Sequence, residues 1–552
     1  MDSHYVTALR RELVIMSFKQ EAYRIRRSIK QYTTESVVQH LLSRLHTDFG
    51  KGVDRARSVP WITCLALDWT LELEPERYAT KASKEDVGKI LDKLWSLQSV
   101  ASSLDGAENI WLSLRAFLLP QLLFQQNQRL HLYFFTRLYT IMCSEGASAS
   151  FKNNFKQEVG VELQDFLVFS LHFAAMFLER PSSFISYSDL VCRFNPAFDI
   201  DSIRKMLKTL GANPLDMRKI AQEQRTKKGE LRAVEYFSEP MMISRPLLLL
   251  PNGVSAVHSY IATIGISEFV LRTLKRADAQ GFKNKFGSAF EDYIADLLTS
   301  YGKDAVRETM LKEFYRLKGV NNNAKVADFL IREEDKCILV DAKAIEPNER
   351  ILVTDSPRMV KDRLKGTIIH AINQTGKCSK ILEENGYDTL PDKKKRYSLI
   401  ITHQDFYMGS AMKLAEYLGN EFENRVHEAL NDQILIEHSH FCCITSFESM
   451  LDVCNQAGTQ LSAFLDYCAE KDAQQATARF DMRQHINEYG KLHNVERANP
   501  LGSERLINDF NRLHDELMDK INASQRYWNK GIDKVPEFLA KKSQVETLGH
   551  EA

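Results

Sequence analysis

The sequence predicts a multidomain α plus α/β protein, and three observations carry that prediction. At 552 residues the chain exceeds one ordinary core, so several domains are expected. Residues 1–180 carry apolar residues at mixed spacings of three and four, the pattern of helices. Residues 281 to about 450 interleave helical stretches with short strand-like runs, the pattern of an α/β layer.

In the first region, ENIWLSLRAFLLPQLLFQQNQRLHLYFFTRLYTIM reads as helix with Pro120 as its main interruption. The window FLVFSLHFAAMFL, residues 166–178, is too short to span a bilayer and contains His172, so a buried helix is expected and no membrane partner. The N-terminus lacks the apolar core of a signal peptide. Nine scattered cysteines without a CxxC suit reduced thiols, and a cytoplasmic location is expected. His438, His440 and Cys442 alternate within a strand-like run and are assigned to it rather than to zinc.

Residues 181–280 predict a small α+β connector. ISYSDLVCRF and DIDSIRKMLKTLG read as short helices, the second capped by Asp201 or Ser202, and Asn252-Gly253 between apolar runs signals a hairpin. Two small helices before a hairpin could form a winged helix, a DNA-binding form; a plain connector is the other reading. Residues 281–456 form the α/β domain. It contains the helix FKNKFGSAFEDYIADLLTSYG, a hairpin at 325–345, one long helix from Ser356 to Gly386, and strands at KKRYSLIITHQDFYM and ILIEHSHFCCITS. Residues 457–552 return to helix, where Leu506, Phe510, Leu513, Leu517 and Ile521 make one amphipathic face.

The hairpin carries the chemistry. With Glu333–Lys336 as a four-residue loop, Arg332 pairs with Cys337, and Asp328 lands opposite Asp341. Cβ atoms so placed are about 4.5–5.5 Å apart, and like charges there are destabilising. Lys343 points to the same side as Asp341, while Ala327, Phe329, Ile331, Ile338, Val340 and Ala342 form the core face. The acidic pair can take a proton, be offset by Lys343, or bind a divalent cation. A structural Asp–Lys pair on a solvated face is the plain alternative.

An acid on a helix (GSAFEDYIADLL), Asp on a strand (VADFLI) and Asp-x-Lys on the next strand (ILVDAKA) resemble the PD-(D/E)XK, or restriction-endonuclease-like, nuclease superfamily. The resemblance covers about 160 of the 552 residues. The strand acid is Asp341 where Glu is commoner, and no proline precedes Asp328. What the resemblance implies is a nuclease core hydrolysing phosphodiester bonds. Asp328, Asp341 and the Ala342 carbonyl would hold Mg²⁺, with Mn²⁺ as a substitute, and Glu291 would bind the ion through water or hold a second one. Lys343 would orient or deprotonate the attacking water, and Gln374, on the following helix, would steady the site. DNA is the expected substrate ahead of RNA, cut internally, and defence against phage or foreign DNA is the expected role. A repair or recombination nuclease and a non-cutting nucleic-acid scaffold are the alternatives. The helical regions would serve a homodimer or a partner protein.

On a helical wheel Glu291 falls at the rim of the apolar face of Phe290, Ile294, Leu297, Leu298 and Tyr301, whereas Asp292 faces water. With 73 basic and 73 acidic residues the net charge is zero, so polyanion contact needs a local patch. Asp392–Arg396 and LRTLKRADAQGFKNKF are the candidate runs.

Overall fold

A computed structural model describes residues 3–47, 59–102, 109–125, 129–179, 184–321, 323–345, 349–495 and 503–550. The protein is mostly helical with two small mixed sheets, an α plus α/β layout. The chain divides into two units, Met1–Ala107 with Ala116–Ala279 and Asp509–Ala552, and Glu108–Arg115 with Gln280–Asn508. Residues 181–279 therefore share a unit with the N-terminal helices, and the C-terminal region is divided at Asn508.

In the first unit the window around His172 lies in the helix Leu163–Glu179, whose Phe166, Leu167, Phe169 and Phe173 are fully buried. Burial pushes His172 down to about 4, so its imidazole is neutral there. Among the described residues no single helix is long and apolar enough to cross a membrane. The four strands β1 (Phe184–Ser186), β2 (Gly211–Ala212), β3 (Leu247–Leu250) and β4 (Gly253–Ala256) form a sheet in the order β1-β4-β3-β2. The expected hairpin joins β3 to β4, but its turn residues are Pro251 and Asn252, and Gly253 opens β4. A Cβ at Gly253 would lie 2.3 Å from the Ile185 carbonyl, so the glycine is what lets β1 pair there. The helix Ile200–Leu210 is capped by Asp199, two residues before the expected Asp201; its side chain accepts from Ser202 N at 2.8 Å. The helix Ile110–Gln125 runs through Pro120. Proline forfeits one intrahelical bond, and an otherwise apolar helix continues past that loss.

In the second unit five strands run in the order β5-β6-β7-β8-β9: β5 (Asp304–Arg307), β6 (Phe329–Glu333), β7 (Lys336–Lys343), β8 (Arg396–Thr402) and β9 (Ser439–Cys443). The first three are antiparallel and β7, β8 and β9 parallel. Leu330, Leu339, Ile400 and Phe441 on one face pack into a core with Leu364, Ile368, Ala371 and Leu382. On the other face Phe329, Val340 and Leu399 are equally buried, so both faces of the sheet are covered.

The long helix expected from Ser356 to Gly386 is two, Pro357–Lys365 and Ile368–Glu384. Gly366 is a poor interior residue, and the Thr367 hydroxyl takes the carbonyls of Arg363 and Leu364. The last strand is shorter than its apolar run because a helix starts at Ile444.

Candidate active site

The register of β6 and β7 fixes the site. Leu330 faces Leu339 and Arg332 faces Cys337, as expected, although Glu333 and Lys336 also pair and leave a two-residue loop at Glu334 and Asp335. β6 begins at Phe329, and the next rung is made by a side chain. Asp328 Oδ2 accepts from Ala342 N at 2.6 Å, which draws the two acidic positions together. In an extended strand a residue's N–H and C=O serve the same edge. The Ala342 carbonyl therefore projects towards the Asp328 side, while the Lys343 carbonyl accepts from His403 N on the β8 side at 3.1 Å.

Asp341 is 0% exposed, and neither carboxylate oxygen accepts a hydrogen bond of sound geometry. Lys343 Nζ comes within 2.5 Å of Oδ2 as an ion pair. Burial first, then the neighbouring Asp328, pushes Asp341 up to about 8; the pull of Lys343 is outweighed. Asp328 is also raised by burial, against the opposing effects of Lys343 and the Ala342 N–H. Glu291, on the helix Ala279–Ser300, is raised to about 7 by burial and then by Asp328 and Glu308. Asp341 and Glu291 are thus poised to hold protons near neutrality and Asp328 is raised beside them, a clustering characteristic of functional sites.

Glu291 is half-buried and Asp292 exposed, with Arg307 as its partner. The same helix buries Phe290, Ile294, Leu297 and Leu298, while Tyr301 is only half-buried. Gln374 belongs to the cluster: its Oε1 accepts from Lys343 Nζ at 3.5 Å, and its Nε2 donates to the Val326 carbonyl at 3.0 Å. The glutamine thereby ties the lysine to the backbone leading into β6.

Glu308 was not singled out from the sequence. Its N–H donates to the Asp328 carbonyl at 2.8 Å, one rung beyond the β5–β6 ladder, which sets Glu308, the first residue of the helix Glu308–Leu317, beside Asp328. It is paired with Lys312 at 2.7 Å. Only Val306 of β5 is buried, so the strand has no apolar alternation by which to find it.

The lysine run at 392–396 lies elsewhere. Lys393 pairs with Glu383 at 3.5 Å, Lys395 with Asp335 at 2.6 Å, and buried Arg396 with Glu383 at 3.0 Å. These residues open β8, whereas Asp341 and Lys343 face Ile400 and Thr402 near its far end, roughly 15–20 Å away at 3.3 Å per residue. Lys283 and Lys285 of the other run are exposed on the Glu291 helix. His440 and Cys442 are buried in β9, and His438 stacks on Tyr397 with centroids 4.4 Å apart.

Among the described residues no three His, Cys, Asp or Glu side chains are gathered as a preformed metal centre. The fit to a cation rests on the buried oxygens of Asp341, which take no hydrogen bond of sound geometry beyond the Lys343 ion pair, and on an all-oxygen donor set, which suits a hard divalent ion. Comparison of the chain with protein-family models, with curated proteins and with solved structures found no match.

Proposed function

We propose that the protein is a metal-dependent phosphodiester hydrolase with a restriction-endonuclease-like core, acting as an endonuclease on DNA of phage or other foreign origin. The observation that supports this most is Asp341: a fully buried carboxyl whose polar partner among the described residues is the Lys343 ammonium, with a second acid beside it. Ionising such a carboxyl is costly, and a bound divalent cation would offset that cost. Asp328, Asp341 and the Ala342 carbonyl would hold Mg²⁺ or Mn²⁺, with Glu291 alongside, and the bound ion would polarise a phosphate and acidify a water.

The remaining roles belong to the chain. Lys343, held by Gln374, keeps positive charge at the locus where negative charge develops on the phosphate. Glu291, poised near neutrality, can take up or release a proton at working pH. The packed sheet fixes Asp341 rigidly and limits water around it.

The reading is tested by incubating purified protein with supercoiled, linear and single-stranded DNA and with RNA, in Mg²⁺, Mn²⁺ or EDTA. Cleavage that needs the cation and is lost in Asp341→Ala and Lys343→Ala is expected. Cleavage retained by either variant would overturn the assignment. For the biological role, wild-type cells should resist phage that plaque on cells carrying Asp341→Ala; equal plaquing would remove the defence reading alone.

A further inference from the structure

His370, Gln374 and Lys377 stand at i, i+4 and i+7 of the Ile368–Glu384 helix and so share one face of it. Gln374 is the member that reaches into the site, through Lys343 and the Val326 carbonyl. Lys325 immediately precedes that carbonyl in the chain. Partial burial and the charges of Lys325, Lys343 and Lys377 hold His370 below the usual histidine range. His370 and Lys377 are exposed and Lys325 half-buried, and neither Lys325 nor Lys377 has an ion-pair partner among the described residues. Lys393 and Lys395, by contrast, are matched to acids. The carboxyls Glu291, Asp328 and Asp341 thus have as neighbours, through Gln374 and Val326, a helix face and a segment that carry lysines without ion-pair partners among the described residues.

We propose that Lys325, His370 and Lys377 form a clamp for the phosphate backbone of a nucleic acid strand, next to the Asp328–Asp341–Lys343 centre. The clamp rests on the phosphodiesterase reading of that centre. From His370 to Lys377 the helix rises about 10 Å, a length that a run of phosphates fills and a single small anion does not.

The test is fluorescence anisotropy of a labelled duplex and a labelled single strand, titrated with the full chain in EDTA at several salt concentrations. Lys377→Ala and Lys325→Ala should each weaken binding irrespective of base sequence, and each should flatten the slope of log affinity against log salt by about 1. Lys377→Gln and His370→Ala should also weaken binding, whereas Lys380→Ala, whose side chain is 3.9 Å from Glu384, should change nothing. Unchanged slopes in the lysine variants, or no binding by the wild type, would overturn the clamp. Cleavage in Mg²⁺ is measured in parallel: cleavage with unchanged slopes removes the clamp alone, and flattened slopes without wild-type cleavage remove the phosphodiesterase reading while the clamp stands.

Discussion

Replacing Asp341 by Asn should stabilise the protein in the absence of divalent cations. A carboxyl held at about 8 in place of the ordinary 3.8 disfavours its ionised form by roughly 6 kcal/mol. Asp328 and Lys343 share in that balance, and a buried Asn amide needs partners of its own, so a net gain of about 1–3 kcal/mol is expected at pH 8. For a unit of about 240 residues this raises its Tm by about 3–10 °C. The direction with pH follows from the proton count. Above about pH 4 the unfolded chain releases a proton that folded Asp341 keeps, so stability falls as pH rises through about 8, and Asp341→Asn abolishes that fall. Mn²⁺ must displace the proton at pH 6 but not above pH 8, so its stabilisation of the wild type should be larger at pH 8.5 than at pH 6. Differential scanning calorimetry at both pH values, in EDTA and in Mn²⁺, measures all four quantities. An Asp341→Asn variant no more stable than wild type at pH 8.5 in EDTA would refute the reasoning, as would a wild-type Tm indifferent to Mn²⁺.

Glu291→Gln should slow cleavage ten-fold or more, about 1.4 kcal/mol of barrier, whereas Asp292→Asn loses only its exposed pairing with Arg307; equal initial rates for the two would show that the helix is misread. Gln374→Ala frees Lys343 and should lower kcat with little change in Tm, since the Nε2 bond to Val326 is at the site's edge; a fall in Tm with unaltered kcat would mark it as structural. A fragment of residues 281–552 lacks Leu112, which belongs to the core of the second unit, and should melt lower than that unit does in the whole chain; an unchanged transition by calorimetry would deny Leu112 that role. Gly376→Ala brings a Cβ within 2.3 Å of the Ala429 carbonyl and should cost several kcal/mol, read as a lower urea midpoint; an unchanged midpoint would mean that the helices part freely.

The hairpin was legible because alternation and register are written in neighbouring residues. Once Arg332 faces Cys337, the approach of Asp328 to Asp341 follows. The wheel likewise separated Glu291 from Asp292, since helical phase needs no distant information. Glu308 was not legible, because it opens a helix just after β5, and that strand offers one buried side chain and gains its place only by pairing with β6. The break at Gly366 and the passage through Pro120 depend on packing that local propensity does not encode. Basic runs misled for a related reason: Lys393 and Lys395 stand together in the chain but are neutralised by Glu383 and Asp335. His370 and Lys377 are brought near Lys325 only by the fold, through the bond from Gln374 to the Val326 carbonyl.

The alternation of the chain between units sets an order of assembly during synthesis. The first unit includes Asp509–Ala552, so its last helices are translated only after the whole stretch Gln280–Asn508. The last strand of the five-stranded sheet ends at Cys443, and at roughly 5–20 residues per second the chain from there to Ala552 takes about 5–20 s, longer than most domains need to fold. The five-stranded unit can therefore complete its sheet while the first unit still awaits its closing segment. A chain interrupted near residue 509 would carry a finished sheet with Asp341 and Lys343 in place, joined to an N-terminal portion that has not closed. In such a nascent chain the candidate site would mature before the rest of the protein.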